Sequence, residues 1–284
     1  MKKFYSRLLP ITTLTIALSS CIEVNETVHL KVDGSGTIVE ETIMGAQMSA
    51  MMAQVAALGG EGAKAPDMFG EDAAKKRAGK MGKDVTVGKV EKINKDGRTG
   101  SRVTYNLTDI NSVTLSLSDG ASGLTEMAPD AGEQPERNDK KETPVTFTYK
   151  DKVLTMINPT PQQAQSGANG TSSKEADADA DKAKEEEGAN DAQAQAMAIN
   201  MMKDMKMSLK IVIESGISET DATYKDGNTI TLTEMNMNKL LANPNAMKKL
   251  QNIDPQNPAE IQNQFKGMEG VKVETKDKVT VKLK

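Results

Sequence analysis

The chain holds one cysteine, Cys21, and one histidine, His29. A single thiol has no disulfide partner within the chain and builds no multi-thiolate metal site. A single imidazole leaves none of the usual zinc spacings. What remains for Cys21 is the chemistry one sulfur can do alone, which is to accept a covalent group. A Ser–His–Asp hydrolase would have to use His29. Strand alternation places His29 on a polar face, and the nearby Gly34-Ser35-Gly36 reads as a hairpin turn, not the strand-to-helix elbow that a nucleophilic serine needs. Among 40 Asp and Glu residues no pair stands out for glycosidase chemistry, and the absence of Trp removes the usual sugar platform. Asp33-Gly34-Ser35-Gly36 lacks the lysine and the following helix of a phosphate loop. The formal net charge is −4 and the basic residues are scattered, so nucleic acid is not an expected partner. No catalytic residue, no cofactor and no enzyme activity are expected.

Methionine is the unusual component, at 18 residues in a chain poor in aromatics. Met48, Met51 and Met52 cluster, as do Met201, Met202, Met205 and Met207, and Met235 and Met237. Thioethers are soft ligands that suit Cu(I) in an oxidising compartment. They are also adaptable fillers of cores and of promiscuous binding grooves. Met48, Met51, Met52, Met201 and Met205 therefore mark either a core face or a groove for an apolar ligand. Core packing is the first reading, because amphipathic spacing alone explains them; no metal ligand set is assigned.

Residues 1–21 read as an export signal. Lys2, Lys3 and Arg7 give a positive start, Leu8 to Leu18 is apolar and Thr-rich, and Ser19 and Ser20 precede Cys21. The apolar run is too short to span a bilayer. Leu18-Ser19-Ser20-Cys21 resembles the lipobox of bacterial lipoproteins. That resemblance implies cleavage before Cys21, a diacylglyceryl thioether on its sulfur and usually an N-acyl chain. Maturation would remove three positive charges and leave an acidic body that anionic lipid repels, so the lipid itself would do the anchoring. The sorting rule of enterobacterial lipoproteins, in which Asp after the cysteine retains the inner membrane, makes Ile22 favour the outer membrane, at its periplasmic face.

The elements follow from patterning. Val28, Leu30 and Val32 alternate with Thr27, His29 and Lys31, and after Asp33-Gly34-Ser35-Gly36 a second strand runs from Thr37 to Ile43. A helix with a Met stripe is expected from Met44 to Leu58, and a weaker one near Glu71 to Met81. Strands return around Val85, Val87 and Ile93, and around Val103, Tyr105 and Leu107, across Asp96-Gly97. Residues 128–142 read as a polar loop. Val145, Phe147 and Tyr149 open a hairpin that turns at Lys150-Asp151-Lys152 and returns through Val153 to Ile157. Residues 159–192 are low-complexity and acidic, and cannot bury enough apolar surface to offset their ordering entropy. A helix is expected from Ala194 to Met207, a strand through Leu209, Ile211 and Ile213, and a turn at Asp226-Gly227-Asn228 into Thr229 to Thr233. Helix follows over 236–251, interrupted at Asn243-Pro244. Asn257, Pro258 and Glu260 cap another. Val271 and Val273 against Val279, Val281 and Leu283 read as a closing hairpin. Lys95-Asp96-Gly97, a strand and Thr108-Asp109-Ile110-Asn111 are echoed by Lys225-Asp226-Gly227, a strand and Thr233-Glu234-Met235-Asn236.

This order predicts an α+β fold: an antiparallel sheet built from hairpins, with amphipathic helices on one face and a disordered acidic insert. The expected organisation is a signal peptide at 1–20, the first part of the body at 21–158, the acidic linker at 159–192 and the second part of the body at 193–284. Two domains split at the linker is the alternative.

Residues 208–243, with a strand, a glycine turn, a Lys-Asp-Gly-Asn turn and a Thr-rich strand, together with Val28 to Gly36 close to Cys21, resemble the LppM-type lipoprotein domain. Leu232 stands where that family usually has an aromatic residue, and the family's C-terminal membrane span has no counterpart. The resemblance implies an envelope lipoprotein with an amphiphile-binding cleft and transfers no catalytic residue. The expected function is a membrane-anchored envelope lipoprotein with a non-enzymatic structural or partner-binding role. Its partners would be the membrane, through the lipid, and an envelope protein or apolar ligand. A carrier with a Met-lined groove and a copper-binding protein are the alternatives.

Overall fold

The computed structural model describes residues 22–46, 48–50, 53–54, 67–116, 144–158, 205–243, 245–246 and 267–284. Within them the fold is α+β, mostly strand, and mostly antiparallel. A large sheet carries β1 (Ile22–Leu30), β2 (Gly36–Met44), β3 (Val85–Lys95), β4 (Arg98–Leu107), β8 (Lys206–Ile213), β10 (Lys225–Asp226) and β11 (Thr229–Asn236). Their order is β10-β11-β8-β1-β2-β4-β3, and β12 (Val271–Val273) also pairs with β11. A smaller sheet has the order β5-β6-β7-β13-β9, from β5 (Thr114–Leu115), β6 (Val145–Lys150), β7 (Val153–Ile157), β9 (Ile217–Thr220) and β13 (Lys278–Leu283). The pairing of β1 with β8 is parallel, and it joins segments on either side of 159–192.

Alternation decides which residues meet. On β1 the inward residues are Val24, Glu26, Val28 and Leu30; on β2 they are Ile38, Glu40 and Thr42. One apolar core runs from Val28, Ile38, Tyr105 and Ile211 of the large sheet to Phe147, Leu154, Met156 and Val281 of the smaller one. Each such fully buried side chain contributes roughly 1.5–3 kcal/mol by leaving water. The large sheet's inner face is thus covered chiefly by a second sheet, with helix α1 (Glu71–Met81) beside it against β3 and β5. Ala74 and Ala78 let α1 approach closely, and Arg77 and Met81 complete its buried stripe. Gly82 ends it with φ 147°, and a Cβ there would lie 2.3 Å from the Ser112 carbonyl oxygen. No residue but glycine fits both demands.

The hairpins at Asp96-Gly97, Asp151-Lys152 and Asp226-Gly227 stand where the turn residues put them. Four expectations need correction. Val32 lies in the β1–β2 turn and is 44% exposed, because β1 ends at Leu30. Met44 closes β2, paired with Ile22 and Thr99, and helical residues begin only at Ala46. Met207 belongs to β8, not to a helix, since its strand partner Val24 extends the inner row. The closing hairpin does not form. β12 pairs with β11 in the large sheet, while β13 pairs with β7 and β9 in the smaller one, and residues 274–277 cross between them. Asn236 caps helix α2 (Met237–Leu241), accepting from the Lys239 amide at 3.1 Å. The helix candidates over 194–204 and 257–266 and the acidic tract 159–192 lie outside the described residues.

Candidate functional site

Elementary strand geometry produces one cluster of charge inside the body. Glu26 and Glu40 are direct cross-strand neighbours on β1 and β2, and both point into the core, at 0% and 8% exposure. Arg77 reaches them from α1. Its Nε donates to Glu40 Oε2 at 2.7 Å, its Nη2 stands 3.5 Å from Glu26 Oε2, and the same Nη2 donates to the Ser116 carbonyl at 3.1 Å. A buried carboxylate is tolerable only with such partners. The cluster ties the helix to the two central strands.

Tyr105 on β4 stands next to it, fully buried, with no hydrogen-bond partner for its hydroxyl among the described residues; the Thr42 hydroxyl on the same inner face is likewise without one there. Burial pushes the Tyr105 pKa far up, and Glu40 and Glu26 push it further while Arg77 opposes them. A folded-state pKa raised above the unfolded value contributes stability that is complete below the ordinary tyrosine range and lost as pH rises towards the folded value. An alkaline absorbance titration should therefore show one tyrosine that ionises only when the protein unfolds. Tyr105→Phe should abolish that delayed step and change stability by no more than about 1 kcal/mol, since it removes a buried hydroxyl with nothing to bond. A Tyr105 that titrates with the exposed tyrosines would contradict this placement.

The sequence-predicted site residues fare differently. Cys21, Met51, Met52 and Met201 lie outside the described residues. Met48 is half-buried in the helical stretch after β2. Met205 is half-buried in a second, smaller apolar cluster with Met235, Leu241 and Met268, packed on Met237, Leu240, Ala246, Val271 and Val273. Met48 is not part of that cluster. His29 faces outward between Thr37 and Val212. Ser35 donates both its amide and its hydroxyl to Asp33 Oδ1, at 3.0 and 2.7 Å, which closes the turn and holds the Asp33 carboxyl below the usual range. No triad forms from these residues. Among the described residues no group of three or more His, Cys, Asp and Glu side chains is arranged to hold a metal.

The outer face of the large sheet carries paired charges. Glu23 meets Arg98 at 2.9 Å and Lys206 at 3.0 Å, and Glu41 meets Arg102 at 2.5 Å. Desolvation raises the Glu234 pKa, but bonds from Lys210 and Lys272 outweigh it and leave the carboxyl below its ordinary value. A depression of about 440 Å³ lies here, lined by Glu41, Ile43, Ile93, Arg98 and Arg102 among others. Its arginines are already engaged with Glu23 and Glu41.

Glu26 and Glu40 were not singled out in the sequence, although a signal for them existed. Each shares parity with its strand's inward apolar residues, Val24 and Val28 for one and Ile38 for the other.

No family profile matches the chain, and no curated protein does. The chain is similar to the NMR structure of the folded domain of LppM from Mycobacterium tuberculosis, at 8% identity and a TM-score of 0.30, over 78% of this chain and 85% of that one.

Proposed function

We propose that the chain is a lipid-anchored lipoprotein of the bacterial cell envelope with a non-enzymatic, structural or partner-binding role. The observation that carries this reading is the junction at the N-terminus. The lipobox-like run ends at Cys21, and β1 begins at the next residue, Ile22. Every described strand is C-terminal to Cys21, so cleavage there takes none of the described strands from either sheet. No described helix is long and apolar enough to cross a membrane, and two or three acyl chains, at about 0.8 kcal/mol per buried methylene, suffice to hold a body to a bilayer. The Glu26–Arg77–Glu40 cluster is buried and ion-paired, which supports a structural role for it. Ile22 after the cysteine favours the outer membrane.

Mass spectrometry of the N-terminal peptide should show a mature start at Cys21 with a diacylglyceryl adduct. Cys21→Ser should leave the protein unprocessed or soluble. A mature start elsewhere, with an unmodified thiol, would remove the basis of this reading. The carrier reading keeps one specific observation in its favour, the second apolar cluster with Met205, Met235, Met237 and Met268. A lipid that survives detergent extraction in native mass spectrometry would select it.

A further inference from the structure

We propose that the end of the large sheet where β1 begins is a membrane-seating surface, which holds the body upright against the lipid headgroups. The inference rests on the lipid-anchor reading and adds an orientation and a contact face to it. Its first ground is tether length. No linker separates Cys21 from the sheet: Ile22 is already paired with Met44 across β2, and Glu23 with Lys206 across β8. An acyl chain on Cys21 therefore draws that sheet margin to the headgroup level. It cannot leave the body swinging on a flexible stalk, as a Gly- or Ser-rich linker would.

The second ground is what this margin presents. The register places Met44 and Thr99 level with Ile22, the β3–β4 turn at Asp96-Gly97 just beyond them, and the end of β11 level with Lys206. Here the second apolar cluster collects. The Met237 amide donates to the Met205 carbonyl at 3.0 Å, and the Asn236 amide to the Gly270 carbonyl at 2.7 Å, so α2 and the start of β12 close this same end. Ile22, Met48, Met205, Met235, Leu241 and Met268 are all only half-buried there. Flexible thioethers suit a disordered acyl–headgroup boundary. Charges at this margin are mixed: Lys95, Arg98, Lys206 and Lys239 stand with Glu23, Asp96 and Glu269. A margin with a slight excess of positive charge is not repelled by anionic lipid. The opposite end is clamped, with the Tyr149 hydroxyl donating to the Val32 carbonyl at 2.6 Å and the Ile110 amide to the Gly34 carbonyl at 3.0 Å, and Val32 is the one large apolar side chain it exposes among the described residues. At about 3.3 Å per strand residue, nine-residue β1 lifts that end roughly 30 Å from the bilayer.

The test uses full-length lipidated protein in vesicles of phosphatidylethanolamine and phosphatidylglycerol. Acylated Cys21 has no free thiol, so a nitroxide can be placed singly through Lys95→Cys or Glu269→Cys at the seating end, and through Lys31→Cys or Lys150→Cys at the far end. All four positions are exposed. The expected result is that the first two labels lose accessibility to a water-soluble nickel chelate several-fold and gain accessibility to oxygen, while the far labels do neither. Vesicle-bound protein with all four labels equally open to the chelate would overturn the seat and leave the anchor standing. Protein that fails to co-sediment with vesicles would overturn the anchor, and the seat with it. The soluble Cys21→Ser form is expected to show open labels at both ends. Protection of Lys95→Cys and Glu269→Cys in that form would assign the face to a second copy of the chain and overturn the proposal.

Discussion

Replacing Arg77 by methionine should cost the fold about 3–5 kcal/mol, the usual penalty for breaking a buried ion pair from one side. Methionine fills much of the arginine's volume, so the loss reads the charge and not a cavity. Glu40 would lose its 2.7 Å donor, Glu26 the guanidinium it shares, and the Ser116 carbonyl its bond from Nη2. Urea unfolding at neutral pH should show the midpoint fall with little change in slope. The informative control is the triple change Glu26→Leu, Glu40→Leu and Arg77→Met. Removing both signs of charge together should restore stability to within about 1 kcal/mol of the parent or exceed it by roughly 1–4 kcal/mol. A single variant costing less than about 1 kcal/mol would mean that water reaches these groups, and that the cluster is not the dry tie between α1 and the central strands described above.

The same cluster shows where sequence reading succeeded and where it stopped. Period-two alternation finds β1 because Val28 and Leu30 alternate with Thr27 and His29, β2 follows the turn as a β-rich run, and glycine and aspartate mark the turns at Asp96-Gly97 and Asp226-Gly227 because positive φ is required there. Those signals are local. The pairing of β1 with β8 is not, since the two strands are joined through residues remote in the chain, and no local residue choice announces a parallel partner. Nor does local pattern tell Val271–Val273 from Lys278–Leu283 as members of different sheets; four intervening residues look like a hairpin loop either way. The methionines misled for a related reason. Met44 and Met207 suit a helix stripe and an inward strand row equally well, because thioether side chains carry little shape preference. The echo between the two Lys-Asp-Gly turns ends differently in its halves. Asp109 caps a single 3-10 turn, Ile110–Ser112, whereas the cap in the second half falls at Asn236, two positions further along. Of the candidate site, the lipobox-like run ending at Cys21 is read from residue order alone, and Cys21 itself lies outside the described residues. The buried acid pair needed the inward parity of β1 to be followed back to Glu26 and Arg77 to be brought over it by tertiary packing.

Glu274→Ala should destabilise the protein by about 2–3 kcal/mol, because three bonds to a buried carboxylate are lost together, while water can reach the exposed Thr223 and Lys276 that donate them. Glu274 is fully buried at the point where the chain leaves β12 in one sheet for β13 in the other. Its Oε2 accepts from the Thr223 amide at 2.6 Å, and its Oε1 accepts from the Thr223 hydroxyl at 2.8 Å and from the Lys276 amide at 3.2 Å. Its backbone is also committed, with the amide donating to the Leu232 carbonyl at 2.8 Å and the carbonyl accepting from Asn158 Nδ2 at 2.8 Å. Those backbone bonds survive the substitution, so the loss isolates the side chain. Glu274→Gln keeps an acceptor for Thr223 but turns a donor towards an amide, and should cost an intermediate amount, about 1–2 kcal/mol. The double change Glu274→Ala with Thr223→Val should recover little of the loss, because Thr223 is exposed and water takes its hydroxyl in the single variant. If Glu274→Ala costs less than about 1 kcal/mol, the 274–277 crossover is held by its backbone and by the apolar strands it connects. If the loss falls in the expected range and the double change recovers little of it, the bonds to one glutamate fix the step between the sheets, which would explain why these residues do not close as the hairpin that their sequence resembles.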